Sequence, residues 1–242
     1  GEDVVDIRLV NNSYCRLIGW KNSTGTEHWE RVVEWSETLL KNNIGYRFVR
    51  KDELADADAL SKEKTPLLID NMGCVSDTQL KSIQTFLEQN GQVFLGMPFG
   101  THDENGFKRK IPLSAVLAKK KYKNLCPMKA DSVAAELNNI LHAKQLVPII
   151  KQVAGDAGWA LRLRKYNNTY VIHFMNTAMK AIPHPTLRDG GSSPILDRIE
   201  SSIANNSLTY EIDVSRVRLE NLVLKSPERG ERAVAVRSEE IG

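Results

Sequence analysis

The hydrophobic pattern of this chain changes period part-way along. Up to about residue 157, apolar residues come in short unbroken runs separated by stretches with three- and four-residue spacing. Leu67-Leu68-Ile69 is a continuous apolar run bounded by Thr65-Pro66 and Asp70, and Gln92 to Leu95 holds a second. Runs of this kind suit strands covered on both faces. Between them Leu80, Ile83, Phe86 and Leu87 share one helical face. Ser76 and Gln79 have capping-box spacing, and Gly91 is placed as the left-handed residue closing the helix. A strand, a helix and a strand joined this way predict a βα unit of a parallel sheet, with Leu67–Asp70 and Gln92–Leu95 as parallel neighbours.

The same reading extends in both directions. Val4 to Ile18 is apolar-rich. His28 to Leu40 repeats Trp29, Val32, Trp35 and Leu39 at helical spacing, and Asn42-Asn43 with Gly45 supplies a stop. Tyr46 to Val49 reads as a short strand and Asp52 to Leu60 as a short helical connection. Asp131 to Leu146 predicts an amphipathic helix bridging two domains. After Gly158 the period becomes two. Trp159, Leu161 and Leu163 alternate with polar residues, as do Tyr170, Ile172 and Phe174, with Asn167-Asn168 as the turn between them. His173 then faces away from the side on which Ile172 and Phe174 pack. Leu208, Tyr210, Ile212 and Val214 alternate again, and Leu222 to Leu224 with Val234 to Val236 flank a turn at Ser226-Pro227-Glu228-Arg229-Gly230. Ile182 to Asn206 reads as a long loop with a short helix near Ile195 to Ile203. The predicted fold class is an α/β three-layer domain with a parallel sheet over residues 1–125. A linker helix region follows over 126–157, and a small antiparallel, sandwich-like β domain over 158–242.

Length and composition fit this picture. The chain has 242 residues, 41% hydrophobic and 26% charged, with a formal net charge of +3. That charge is small for the size, and Lys119-Lys120-Lys121 is a short run best read as a solvated helix end, so nucleic acid is not an expected partner. No apolar run approaches the roughly 20 residues of a membrane-spanning helix. No secretory signal is visible. The chain opens Gly1-Glu2-Asp3 without Met, so the natural N-terminus is expected upstream, and the compartment stays open. Cys15, Cys74 and Cys126 are odd in number and widely spaced, with no zinc-like spacing; buried free thiols are the plain reading, and neither metal nor cofactor is expected.

In parallel α/β sheets ligands bind beyond the carboxyl ends of the strands. That places the candidate pocket at Asn71, Cys74, Gly96, Gly100, Thr101, His102, Asp103 and Glu104. Asp103 and Glu104 could pair as hydrolytic carboxylates, but adjacent residues on a turn rarely span the 5–5.5 Å geometry that retaining hydrolysis needs. A turn assisted by Gly106 is the plainer role. Cys74, ahead of a helix N-terminus, and His102 are the one cysteine–histidine pair that could converge; a small buried apolar group and an exposed loop histidine are the plainer readings. Trp20, near a polar loop, and Trp29, on the helix, are candidate interface or sugar-stacking residues.

Gly96-Met97-Pro98-Phe99-Gly100 follows a strand and resembles the G-x-C-x-G turn of class I glutamine amidotransferases. The resemblance implies a nucleophile at the central position, where Pro98 stands, so it implies a degenerate site. The wider stretch from Ile69 to Lys110 resembles the amidotransferase-like, flavodoxin-like trimerisation domain of bacterial β-galactosidases that carry a (β/α)-barrel. Asn71, Cys74, Ser76, Asp77, Phe86, Gly91, Asp103, Glu104 and Gly106 occur in matching order, with Asn90 where a glycine is usual. Tyr166 to Asn176 resembles the small C-terminal β domain of such enzymes. The resemblance implies a non-catalytic accessory or assembly region, with a missing catalytic barrel or a second copy of the chain as partner and carbohydrate as ligand class. A barrel of roughly 250 residues has no room here. The alternatives are a stand-alone hydrolase using Cys74 or the His102–Glu104 loop, and a carbohydrate-binding module.

Overall fold

The computed structural model describes residues 1–16, 27–154, 159–167, 169–176, 179–188, 194–201, 209–213, 223–226 and 230–233. Trp20 lies outside them, as does the side chain of Trp159. After strand β1 (Glu2–Val4), the first half alternates strands and helices: β2 (Ile7–Asn11), α1 (Glu27–Lys41), β3 (Tyr46–Arg50), α2 (Lys51–Ala55), α3 (Ala57–Lys62), β4 (Leu67–Ile69), α4 (Asp77–Glu88), β5 (Val93–Leu95), α5 (Leu113–Lys120), β6 (Leu125–Pro127) and α6 (Val133–His142). Five strands form one parallel sheet in the order β3-β2-β4-β5-β6. Counted within the sheet this is 2-1-3-4-5, the doubly wound order found in flavodoxin. The predicted neighbours pair in parallel, Leu67 with Val93 and Ile69 with Leu95.

Period-two side chains feed two separate cores. Leu67, Ile69, Val93 and Leu95 point into a cluster with Leu54, Leu60, Ile83, Phe86 and Leu117 of α2 to α5. Leu68 and Phe94 point the other way, onto Trp35 and Leu39 of α1 and Val133, Leu137 and Ile140 of α6. Every residue of β4 and β5 is buried, as a doubly covered sheet requires. The helix expected to bridge two domains thus packs its apolar face on this sheet, beside α1, and β6 lies at 125–127 as an edge strand.

The capping box forms as read: Ser76 Oγ accepts from the Gln79 amide at 3.1 Å, and Gln79 Oε1 accepts from the Ser76 amide at 3.1 Å. The left-handed closing residue is Asn90 (φ 63°), not Gly91. Asn tolerates this conformation. Gly91 serves a different need, because a Cβ there would sit 2.3 Å from the Phe86 ring.

Beyond residue 149 the strands are antiparallel. β8 (Trp159–Tyr166) and β9 (Thr169–Asn176) form the predicted hairpin, with Asn167 left-handed at φ 52° and His173 exposed. β1 pairs with β8, so the first strand of the chain joins this sheet. β7 (Ile150–Ala154) pairs with β12 (Thr209–Ile212), and Ile150, Leu161, Leu163, Tyr170, Ile172 and Tyr210 share one apolar cluster between the two sheets. β13 (Val223–Ser226) pairs antiparallel with β14 (Gly230–Ala233), nearer the expected turn than the strands read from the sequence; Leu222 and Val234 to Val236 lie outside the described residues. The expected helix near Ile195 to Ile203 is instead β11 (Pro194–Ser201), paired with β10 (Met179–Arg188). Isoleucines at 195, 199 and 203 have helical spacing, but β10 offers a backbone partner over Met179–Arg188.

Two buried polar side chains set the frame of the α/β domain. Arg8, on β2, donates to the carbonyls of Leu60, Glu63 and Thr65 at 2.9–3.0 Å and lies over the Phe86 ring. Asp6, between β1 and β2, accepts from the Gly45 amide and from the Ile149 amide, both at 2.8 Å. It therefore fixes the start of β3 to the entry of the antiparallel module.

Candidate functional site

Two loops meet at the carboxyl ends of β4 and β5. The first runs from Asp70 to Val75, the second from Gly96 to Pro112. Backbone bonds lace them together: Gly96 N–H to Ile69 (2.8 Å), Gly100 N–H to Met72 (3.0 Å), His102 N–H to Gly73 (2.9 Å) and Val75 N–H to His102 (3.1 Å). Arg109 adds a clamp, donating to the Val75 carbonyl and pairing with Asp77, both at 2.8 Å.

The sequence-predicted residues fall in this lacing. Asn71 holds a left-handed turn (φ 48°), and Gly100 another (φ 61°) against Leu113. Cys74 and His102 converge as a parallel β-bridge, through their backbones. Thr101 Oγ1 lies 3.0 Å from His102 Nδ1 and donates to the Gly73 carbonyl at 3.3 Å. Asp103 Oδ1 accepts the amides of Asn105 and Phe107 at 2.9 Å, and Gly106 is left-handed at φ 84°, so Asp103 builds a turn. Glu104 is half-buried with no hydrogen bond or ion pair to a described residue. Pro98, at the tip of the Gly96–Gly100 turn, is exposed and follows a cis peptide bond. Trp29 is 40% exposed, with the Arg16 guanidinium 5.5 Å from its ring centroid.

The residues that gather most chemistry are ones the pattern did not single out. Asp70 directly follows β4. Its Oδ2 accepts from Trp35 Nε1–H at 2.8 Å, with Arg31 Nε at 3.5 Å. Burial pushes its carboxyl above the ordinary 3.8, against the pull of Trp35 and Arg31. Gly96 is needed beside it, because a Cβ there would stand 2.0 Å from Asp70 Oδ1. Asp70, Arg31, Gly96 and Glu136 line a cleft of about 190 Å³, together with Met97 and Met128. Glu136 is buried and accepts the Lys129 and Ala130 amides at 2.9 and 2.6 Å. An acid immediately after a fully apolar strand was the available signal for Asp70; Arg31, Trp35 and Glu136 reach the cleft only through the packing of α1 and α6.

Behind Asp70, His28 is buried in α1. Its Nδ1–H donates to the Asp70 carbonyl at 2.8 Å and its Nε2 accepts the Asn12 amide at 3.1 Å, which defines a neutral ring. Burial lowers its pKa from the ordinary 6.5. Asn12 Nδ2 in turn donates to the Cys74 carbonyl (2.9 Å) and to Gln79 Oε1 (3.1 Å), tying the end of β2 to the same loops. Among the described residues no group of three or more His, Cys, Asp and Glu side chains could hold a metal ion, and no helix is long and apolar enough to cross a membrane.

No protein-family model matches the sequence, and no curated protein matches it. Among solved structures the chain is similar to an exo-carrageenase of family GH42 from Bacteroides ovatus, at 18% identity and a TM-score of 0.45, over 71% of this chain and 22% of that one. It is similar to a catalytic mutant of a GH42 β-galactosidase from G. stearothermophilus, at 10% identity and a TM-score of 0.38, over 74% of this chain and 23% of that one. A β-galactosidase from Bifidobacterium adolescentis matches at 12% identity and a TM-score of 0.36, over 88% of this chain and 94% of that one. The chain thus spans under a quarter of the length of the first two.

Proposed function

We propose that this chain is a non-catalytic accessory and assembly region of a larger glycoside hydrolase, β-galactosidase-like, with a degenerate amidotransferase-like turn after β5. The observation that carries the reading is the state of that turn. Pro98 stands where a nucleophile is required and has neither a reactive side chain nor an amide N–H for an oxyanion. Around it Asp103, Thr101 and Arg109 serve the backbone of the two loops. The same loop carries large apolar side chains in solvent: Phe107 is 70% exposed, Met97 58% and Ile111 57%. Apolar side chains concentrated on one loop are what a docking surface requires.

The test has two arms. The purified chain should hydrolyse neither glutamine nor nitrophenyl galactosides above blank; turnover abolished by Cys74→Ala or Glu104→Gln would favour the stand-alone hydrolase instead. Sedimentation at rising concentration should show self-association that Phe107→Ser and Ile111→Ser weaken. A strict monomer up to high micromolar concentration would overturn the assembly part. The Asp70 cleft favours a second reading, carbohydrate binding, because it groups a carboxyl, a guanidinium and a second carboxylate in a concave site. Titration of simple sugars against Trp35 fluorescence tests it directly, with no response counting against it.

A further inference from the structure

Folding brings two of the three cysteines together. Cys15 lies four residues past β2, and Cys74 stands on the loop after β4. The Cys74 amide donates to Cys15 Sγ at 3.3 Å, and the Cys15 thiol reaches the Cys74 carbonyl at 3.5 Å. A sulfur that close to both backbone groups of one residue lies beside its Cα, within reach of its side chain. Both residues are buried in one apolar cluster and recorded as free thiols. Asn12 holds the approach from both sides, through Nδ2–H to the Cys74 carbonyl and through Oδ1, which accepts the Tyr14 amide at 3.2 Å. The contact is therefore set by backbone anchors. It has no part in the Asp70 cleft or the Thr101–His102 contact.

We propose that Cys15 and Cys74 are an oxidisable dithiol that closes to a disulfide under a peroxide, locking the segment after β2 to the loop after β4. The Cys74 sulfur attacks one peroxide oxygen; an S–O bond forms, the O–O bond breaks, and the released hydroxide takes the Cys74 proton as water. The Cys15 sulfur then attacks the Cys74 sulfur; the S–S bond forms, the S–O bond breaks, and the departing hydroxide takes the Cys15 proton as a second water. Two electrons pass from the sulfurs to the peroxide. Contact with Cys15 lowers the Cys74 pKa, against burial and the charge of Asp103, and contact with Cys74, with burial, raises that of Cys15. These directions favour Cys74 attacking and Cys15 resolving; the reverse order gives the same disulfide. Burial makes the step wait on local opening of the loops.

The full chain would be treated in native buffer with a small excess of hydrogen peroxide, alkylated and digested without reduction. The expected product is a peptide pair joined through Cys15 and Cys74, about 2 Da lighter than its two thiol halves, formed equally in Cys126→Ser. The melting temperature should rise by about 5 °C or more, as a long closed loop predicts, and fall back with dithiothreitol. In Cys15→Ser the Cys74 sulfenic acid should become trappable by dimedone. Both thiols found alkylated after native treatment would overturn the proposal. So would a link to Cys126, Cys74 carried to the sulfinic acid with Cys15 intact, or a Cys15–Cys74 link that forms only in urea.

Discussion

The two ends of the parallel sheet both bury charge, and they do so differently. Near the amino ends, the Arg8 donors are taken up by three backbone carbonyls and Asp6 accepts one amide on each oxygen. At the carboxyl ends, Asp70 receives one indole N–H, lies 3.5 Å from a partly exposed arginine, and borders a cleft. The first arrangement is anchored on main-chain groups. The second has partners that are side chains, and it has room. Buried charge alone therefore does not mark a site in this protein; incomplete saturation by the backbone does.

Five predictions bear on that contrast, ordered by size. Arg8→Met should cost about 3–5 kcal/mol in urea unfolding, because it strips donors from three carbonyls in the interior. Arg8→Lys should recover less than half, since one ammonium cannot span the same three acceptors. Asp6→Ala should cost about 2–3 kcal/mol by orphaning two amides, and Asp6→Asn about half as much. Gly96→Ala should cost about 1–2 kcal/mol and shift Trp35 emission, because the new Cβ displaces Asp70. Ala at exposed Met97 next door should stay within about 0.5 kcal/mol.

The fourth prediction is a pH dependence. His28 has a lowered folded pKa, so its contribution is present above 6.5 and is lost as pH falls below 6.5 toward the folded value. Protonation would set a new N–H against the Asn12 amide. Stability should decline in that window by at most about 1.4 kcal/mol per pH unit, and His28→Gln should flatten the slope. Asp70 acts in the opposite sense: its raised pKa favours the fold at pH below 3.8, and that contribution disappears as pH rises through the folded value. Among the buried positions the smallest effect belongs to Asp70→Asn, within about 1 kcal/mol at neutral pH, because the amide keeps an acceptor for Trp35 and sheds a charge disfavoured by burial. If Asp70→Asn proved as damaging in urea as Arg8→Met, the distinction between the two ends would collapse.

The sequence made legible what is local. The β4-α4-β5 unit, the Ser76–Gln79 box and the β8–β9 hairpin are each written in one continuous stretch of chain, and each forms. Long-range partners were not legible. Nothing near Arg8 announces that carbonyls at 60, 63 and 65 await it, and Glu2 to Val4 give no sign that they belong with β8. The Gly91 reading failed for a related reason: the glycine is required by the Phe86 ring, which only the folded helix brings there. Ile195 to Ile203 failed because a pairing partner outweighed a helical spacing. Asp70 was readable as an acid ending a strand, but its indole and guanidinium partners depend on how α1 crosses the sheet.

The pairing of β1 with β8 also fixes an order in time. Glu2 faces Lys165, so β1 meets its partner only after more than 160 further residues have been made. At roughly 5–20 residues per second that is a wait of about 8–32 s. The strands β2 to β6 are all made by residue 127, so the parallel sheet can be assembled while β1 still has no ladder. During that interval an open strand edge precedes a finished core, which is a setting in which another nascent copy competes for the same edge.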